Sequence, residues 1–228
     1  MSKKRQMIEA INDFVVGCKS DNIWDSIKAC CILSGWNNLE GCLTPIKGDA
    51  PTNYNFVAND YNRITGLAGD GSTKYLDTNR NGNDDPQNDF HMAMFLGAAI
   101  NVANITMGAG AASVGASQIQ GGQYRNRNGS GDDMDSTINV GTVVGFAGMS
   151  RSSSAEFIGR DNATTNTYTR VSQSPFTGNL LTHAREPGGS PGLYSTLRIS
   201  FYSIGEPLDL ENLDNRVSTL ITTIGDIL

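Results

Sequence analysis

The central part of the chain is a succession of short apolar runs, each closed by Gly, Asn, Asp or Pro. Within one of them, residues 167–171 alternate polar and apolar side chains, as a half-exposed β-strand does. Many short strands separated by turn residues predict an antiparallel β-sandwich, and no strand–helix–strand alternation is visible. The strand candidates are residues 43–47, 73–78, 91–97, 102–108, 116–122, 138–150, 155–159, 166–173, 178–185 and 195–205.

The two ends of the chain have the apolar spacing of helices rather than strands. A first helix is predicted from Lys4 to Val16, and Ser20 with Asp21 can cap a second helix that stops near Gly35. The apolar residues of these two segments are Met7, Ile8, Ile11, Phe14 and Val15, then Ile23, Trp24, Ile27, Cys30 and Cys31.

A third helix is predicted over 209–225, with Asp209 as N-cap and Gly225 as C-terminal stop. We therefore expect an all-β fold with added helices, in which 1–38 is an N-terminal helical segment and 39–228 is a β-sandwich that ends in this helix. The apolar stripe of the third helix consists of Leu210, Leu213, Val217, Leu220, Ile221 and Ile224.

The charge balance argues against a general nucleic-acid-binding protein, because the 228 residues carry a net charge of −6 at pH 7. The exception is the basic start Lys3-Lys4-Arg5, which we interpret as a solvated terminus; no apolar stretch of a signal peptide follows it. The charge-free region 90–124 mixes Asn and Gln with Gly and Ala, so no membrane insertion is predicted.

Four cysteines lie in the first fifth of the chain: Cys18, Cys30, Cys31 and Cys42. Their spacing fits no familiar zinc site, and the two histidines are far away in sequence. We expect buried reduced thiols, with a Cys18–Cys42 disulfide as the alternative.

The stretch 77-DTNRNGNDDPQND-89 opens like the loop of a calcium site. Asp77, Asn79 and Asn81 fall at alternate positions, glycine follows at the sixth, and Asp85 stands at the ninth. The twelfth position holds an amide rather than a bidentate carboxylate, and the residues before the loop have the pattern of a strand. We interpret the stretch as a solvated turn, with a calcium site as the alternative and no other cofactor predicted.

The candidate enzymatic motifs lack a required residue or the required spacing. Residues 66–72 space two glycines as a phosphate-binding loop does, but Ser72 stands where the lysine is needed. The acidic run 206–211 has the wrong spacing for a glycosidase pair and suits the capping of a helix. No Gly-x-Ser-x-Gly is present, and neither histidine has a triad context. The chain is predicted not to be an enzyme.

Tyrosines and arginines that are predicted to lie exposed on loops are the remaining candidates for a binding surface. Such side chains can stack on and hydrogen-bond to sugars, and they can equally form a wet protein interface. The predicted glycan-binding residues are Tyr54, Tyr61, Arg63, Tyr124, Arg125 and Arg127.

Four stretches resemble a module of phage virion proteins, especially those of marine phages and cyanophages. They are 51-PTNYNFVANDYNRITGLAGDGSTKYLDTNRNGNDDPQND-89, 145-GFAGMSRSSSAEFIG-159, 178-GNLLTHAR-185 and 199-ISFYSIGEPLDLENLDNRVSTLI-221. The likeness runs from about Ile11 to the end, and the part around Phe201 to Glu206 is the most specific. The module is similar to a concanavalin A-like (laminin-G-like) jelly-roll sandwich.

The resemblance implies a non-catalytic structural protein on the virion surface, either a decoration protein or a tail or fibre attachment component. The partners expected are other virion proteins of the capsid or tail, with assembly as a homo-oligomer. The alternative is a lectin-like adhesion module that recognises a host-surface polysaccharide. Region 97–122 and the terminal helices are the expected docking surfaces.

Overall fold

The computed structural model describes residues 2–98, 105–110, 115–120, 123–128 and 144–228. The described residues form three layers: a pair of long helices, a large antiparallel sheet, and a smaller antiparallel sheet. The helices are α1 (Lys3–Ser20), the short α2 (Leu39–Cys42) and α3 (Leu210–Ile227), with a single 3₁₀ turn at Ala58–Asp60.

The strands are short, as turn residues at close spacing require. In chain order they are β1 (Ile27–Ile32), β2 (Pro45–Lys47), β3 (Thr52–Tyr54), β4 (Tyr61–Asn62), β5 (Gly66–Ala68), β6 (Tyr75–Asn81), β7 (Phe90–Ala98), β8 (Ile105–Ala109), β9 (Ala116–Gln120), β10 (Gln123–Asn128), β11 (Gly145–Arg151), β12 (Glu156–Asp161), β13 (Thr164–Thr169), β14 (Asn179–Thr182) and β15 (Arg198–Gly205).

The larger sheet runs β13-β12-β11-β7-β15-β1-β2, with β5 also paired to β15 and β4 paired to β5. The smaller sheet runs β10-β9-β8-β14-β6-β3. One core lies between the two sheets and contains Met94, Leu96 and Ile199 of the larger sheet together with Leu76 of the smaller. The described part of the chain is thus the predicted antiparallel sandwich with a helix near each terminus.

A second core lies on the outer face of the larger sheet, beneath α1 and α3. Phe95 pairs in register with Phe146 on one side and with Phe201 on the other, so three phenylalanines form one row across β11, β7 and β15. Phe14 of α1 meets Phe201 edge-on, with ring centroids 5.7 Å apart. Both faces of these central strands are therefore covered, which explains why their sequences do not alternate.

A salt bridge also connects α1 and α3. Arg216 of α3 donates from Nε to a carboxylate oxygen of Asp21, at the C-cap of α1, over 2.7 Å. The predicted N-cap of α3 is confirmed, since Asp209 accepts hydrogen bonds from the backbone of Glu211 and Asn212. The helix extends slightly further than predicted, to Ile227.

The second N-terminal helix, predicted to begin after Ser20-Asp21 and to stop near Gly35, is wrong. Residues Ile27–Ile32 form β1, which pairs with β15 and β2 inside the larger sheet. The spacing of Ile27, Cys30 and Cys31 fits a helix, but a strand buried on both faces is also a continuous apolar run. The predicted helical segment 1–38 therefore contains a strand of the sandwich.

The expectation of buried reduced thiols is confirmed. All four cysteines are free and buried, and no disulfide joins Cys18 to Cys42. Burial raises the pKa of the Cys18 and Cys42 thiols to about 12. These thiols are uncharged at neutral pH and pack as small apolar side chains.

Candidate functional site

The six predicted glycan-binding residues lie in three separate places. Tyr54 is on the outer face of the smaller sheet, Tyr61 and Arg63 lie beside Trp36, and Tyr124, Arg125 and Arg127 are buried on β10. The six residues therefore do not form a single site.

The first place is the tyrosine face, formed by Tyr54, Tyr75 and Tyr194. Leu76 and Thr78 point into the sandwich, and the period of two along β6 therefore turns Tyr75 and Asp77 outward. Tyr54 pairs in register with Tyr75, and their rings stack at 4.4 Å with an interplanar angle of 6°. Tyr194 adds a third ring 6.1 Å from Tyr75.

The tyrosine face is accessible and has polar neighbours. The side chain of Tyr54 is 41% exposed, and Asp77 accepts a 2.9 Å hydrogen bond from the amide of Asn179. The exposed part of the Tyr54 ring, beside an amide and a carboxylate, can contact a sugar ring while the polar groups bind its hydroxyl groups. The prediction that Tyr54 is exposed is confirmed.

The second place is the Trp36 cleft, a hollow of about 440 Å³ where the two long helices meet the loop after β1. Its walls come from the first three turns of α1, the loop after β1, the residue that follows β4, and the end of α3. The lining residues are Lys3, Lys4, Met7, Ile8, Ile11, Gly35, Trp36, Asn37, Arg63 and Ile227.

Hydrogen bonds to the backbone around Trp36 hold one wall of the Trp36 cleft in place. The Tyr61 hydroxyl and Arg63 Nε both donate to the Trp36 carbonyl, at 2.9 and 3.0 Å. The Gly35 amide donates to the Arg63 carbonyl at 2.6 Å, and the Trp36 indole donates to the Ile32 carbonyl at 2.7 Å. The indole is thus tied to β1, and Arg63 is tied to the loop.

Gly35 allows α1 to come close to this loop. Its φ of +84° lies in the left-handed region, and a Cβ there would sit 3.1 Å from Met7 Cε and 3.2 Å from Ile224 Cγ2. Glycine therefore satisfies both the backbone angle and the close packing beneath the Trp36 cleft.

The third place corrects the prediction that Tyr124, Arg125 and Arg127 are exposed loop residues. They lie on β10 and are 1%, 2% and 0% exposed. The Tyr124 hydroxyl donates to the Arg160 carbonyl at 2.8 Å, and the Arg127 guanidinium lies 4.2 Å from the centre of the Phe90 ring. Aromatic contacts and hydrogen bonds thus replace water around side chains that are usually exposed.

Arg127 and Arg151 form a buried basic pair within the sandwich. Arg151 donates from Nε to the Asn126 carbonyl at 2.9 Å and lies over Phe157. Burial lowers the pKa of Arg127 and of Arg151 to about 10. Among the described residues, the guanidinium of Arg127 has no hydrogen-bond partner. Both side chains remain cationic at neutral pH and contribute to the interior rather than to a surface.

The four calcium candidates do not lie in one solvated turn as predicted, because three are on β6 and the fourth, Asp85, is buried after the turn that follows it. Asp77 and Asn79 lie on β6, where Asn79 adopts a φ of +56° and its amide donates to the Ala50 carbonyl. Asn81 ends the strand, and Asp85 is buried in a salt bridge with Arg80. Within the described residues, no group of three or more His, Cys, Asp or Glu side chains is placed to hold a metal ion.

Both histidines are buried and occupied by structural hydrogen bonds. His91 Nε2 lies 2.8 Å from Ser203 Oγ, and His183 Nε2 lies 3.0 Å from the Leu67 carbonyl oxygen. Burial lowers the pKa of each imidazole to about 4, so both are neutral at pH 7.

The structure describes only part of region 97–122, which was predicted as a docking surface. The rest lies outside the described residues; the described pieces include β8 and β9, where Met107 and Ile119 are buried. In the part of the chain that the structure describes, no helix is long and apolar enough to cross a membrane.

The Trp36 cleft was missed because Trp36 was not among the predicted residues. The available signal was a single tryptophan between a glycine and two asparagines, outside any predicted strand. Its distant cleft partners come from three other stretches of sequence, and only the tertiary fold brings them together.

Comparisons with known proteins show a distant likeness in structure. No protein-family model matches the chain, and no curated protein matches it. Among solved structures, the chain is similar to an arabinofuranosidase complexed with arabinofuranosyl-alpha-1,2-xylobiose, at 12% identity and a TM-score of 0.37. The match covers 72% of this chain and 45% of that chain, so it spans less than half of that protein. A likeness this distant carries no argument about activity.

Proposed function

We propose that the chain is a non-catalytic structural protein of a phage virion, a surface decoration or a tail or fibre attachment component that acts through protein–protein contacts. The observation that carries the proposal is the Trp36 cleft, where Ile8 is 58% exposed beside apolar and cationic neighbours. Exposed apolar surface bordered by polar groups is typical of protein interaction sites. The phage virion is proposed as the particle because four stretches of the sequence resemble phage virion modules.

The sandwich supports this role because it leaves the helices as the outward layer of the larger sheet. Both faces of the central strands are occupied, one by the smaller sheet and one by α1 and α3. A partner that binds this side of the molecule therefore contacts α1, α3 and the loop at Trp36. Assembly as a homo-oligomer on the particle surface is part of the proposal, and light scattering on the purified chain measures it.

The test is immunogold electron microscopy of intact virions with an antibody against this chain. We expect label on the particle surface, over the head for a decoration protein, or on the tail or fibres for an attachment component. Particles that carry no label, although the chain is produced in infected cells, would contradict the proposal.

A second candidate function is lectin-like adhesion to a host-surface polysaccharide, and the tyrosine face favours it. The exposed Tyr54 ring stacks on Tyr75, on the face of the sheet where Asp77 accepts a hydrogen bond from Asn179. We expect host polysaccharide to bind the wild-type chain and not Tyr54→Ala, whereas Tyr61→Phe, which keeps its ring beside Trp36, binds normally. Failure of the oligomeric wild-type chain to bind any host polysaccharide removes this candidate.

A further inference from the structure

We propose that the Trp36 cleft binds an acidic peptide segment of a partner protein, with one large apolar side chain in the cleft and carboxylates against Lys4 and Arg63. This rests on the proposed function for the kind of partner, and it adds the site and the chemistry of the contact.

The floor of the cleft is aliphatic and fits an apolar side chain. Met7, Ile8, Ile11 and Ile227 line it, and Ile8 is more than half exposed. A volume of about 440 Å³ lies within the range of roughly 300–1,000 Å³ found for ligand pockets. Covering these side chains removes apolar surface from water, which is the main driving force of protein association.

The rim of the cleft is cationic although the whole chain is acidic. Lys3, Lys4 and Arg63 line the cleft, whereas the net charge of the chain is −6. Lys3 donates to the main-chain oxygen of Leu228, and Arg63 donates to main-chain carbonyls. Among the described residues, no side-chain carboxylate forms a salt bridge with Lys4 or Arg63. Their charges are thus available to attract carboxylates of a partner.

The arrangement favours a peptide over a sugar. A sugar needs several hydrogen-bonding groups around its ring, but apart from the cations the cleft offers only Asn37 as a polar side chain. The Trp36 indole N–H is already used by the Ile32 carbonyl. The cleft is open along the start of α1, as grooves that accept an anchor side chain of an amphipathic segment are.

The experiment selects a displayed library of random peptides against the purified full-length chain. Enriched peptides are synthesised, and their affinities are measured by fluorescence anisotropy for the wild type and four variants. Ile8→Glu and Lys4→Glu alter the cleft. Val16→Glu is the matched apolar control, because Val16 is 55% exposed on the same helix outside the cleft. Lys19→Glu is the matched charge control, and circular dichroism checks that all variants are folded.

We expect enriched peptides to combine Asp or Glu with a large apolar residue. Their affinity should fall about tenfold or more in Ile8→Glu and several-fold in Lys4→Glu, with both controls within about twofold of the wild type. Enrichment of no such peptide, or equal affinity for Ile8→Glu and Val16→Glu, overturns the proposal. Ile8-dependent binding of oleate without peptide enrichment assigns the cleft to a lipid and also overturns it. Peptide binding is measured on the purified chain and its variants, whereas immunogold labelling is measured on the particle, so the two proposals fail separately.

Discussion

The Trp36 cleft and the tyrosine face present opposite chemistry on one sandwich. The cleft is aliphatic with a cationic rim, and it is built by helices and loops from distant parts of the sequence. The tyrosine face is aromatic with amide and carboxylate neighbours, and two of its three rings come from adjacent strands. The two candidate functions therefore use surfaces that variants can separate: the cleft for protein contacts, the tyrosine face for sugar.

The largest expected effect comes from removing the packing that places α1. Phe14 is 3% exposed and packs edge-on against Phe201, so Phe14→Ala should lower the free energy of unfolding by about 3–5 kcal/mol. Peptide binding at the cleft should be lost, since α1 supplies its floor. Urea unfolding and fluorescence anisotropy measure the two effects.

Leu76→Ala is the matched control on the other side of the sandwich. Leu76 is fully buried beneath the smaller sheet, so the variant should lose about 2–5 kcal/mol of unfolding free energy while the cleft keeps its peptide affinity. Equal loss of peptide affinity in both variants would show that the cleft does not depend specifically on α1.

Acid should weaken the sandwich that carries both regions, because it contains two buried neutral histidines. His183 lies against Phe56 in the core near the smaller sheet, and His91 lies in the larger sheet. Their pKa values of about 4 lie below the unfolded value of about 6.5. The folded state thus binds fewer protons, so their contribution to stability is fully present above about pH 6.5 and is lost as the pH falls towards 4.

The expected loss is about 3 kcal/mol in the unfolding free energy between pH 7 and pH 5, measured by urea unfolding at each pH. Asp161 acts in the opposite direction, because burial and the nearby Asp214 raise its pKa to about 6. Its contribution is small because solvent screens this partly exposed group. Stability that is unchanged or higher at pH 5 would contradict the assignment of neutral buried imidazoles.

A smaller effect is expected from two glycines with left-handed backbone. Gly35→Ala and Gly189→Ala both place a Cβ at positive φ, which costs about 1–2 kcal/mol. Only Gly35 also has Met7 and Ile224 within 3.2 Å of the added atom, while nothing lies within 4 Å at Gly189. Gly35→Ala should therefore be the more destabilising in thermal unfolding, and it alone should weaken peptide binding.

The smallest stability effects are expected at the exposed residues of the two surfaces. Ile8→Ser should change the unfolding free energy by about 0.5 kcal/mol or less, because Ile8 is 58% exposed. Tyr54→Ser should lower it by about 1 kcal/mol, because Tyr54 is 41% exposed and stacks on Tyr75. Each should nevertheless remove binding at its own surface and leave the other intact. A loss of several kcal/mol in either variant would mean that the residue serves the fold rather than a ligand.

Sequence patterns predicted the elements that depend on interactions between residues close together in the sequence. The helix after Asp209 was predicted correctly because a capping carboxylate and an apolar stripe are both visible in the sequence. Strand β1 was missed because a doubly buried strand lacks the alternation that distinguishes it from a helix. Most of the strands predicted elsewhere in the sandwich are present, since turn residues mark their ends.

The candidate surfaces were less predictable because exposure depends on the tertiary fold. Tyr54 was predicted to be exposed and is exposed, but Tyr124, Arg125 and Arg127 have the same polar and aromatic character and are buried. Residue type alone cannot distinguish these cases. The Trp36 cleft needs α1, the loop after β1, and α3 to meet, and no spacing within the sequence encodes that meeting.

The most direct test of the central claim is incorporation of variant chains into virions. Ile8→Glu and Val16→Glu, two equally exposed positions on α1, are supplied during infection in place of the wild-type chain, and purified particles are assayed by quantitative immunoblot. Docking through the Trp36 cleft predicts that Ile8→Glu is missing from particles while Val16→Glu is incorporated at the wild-type level. Equal incorporation of the two variants would contradict docking through this cleft.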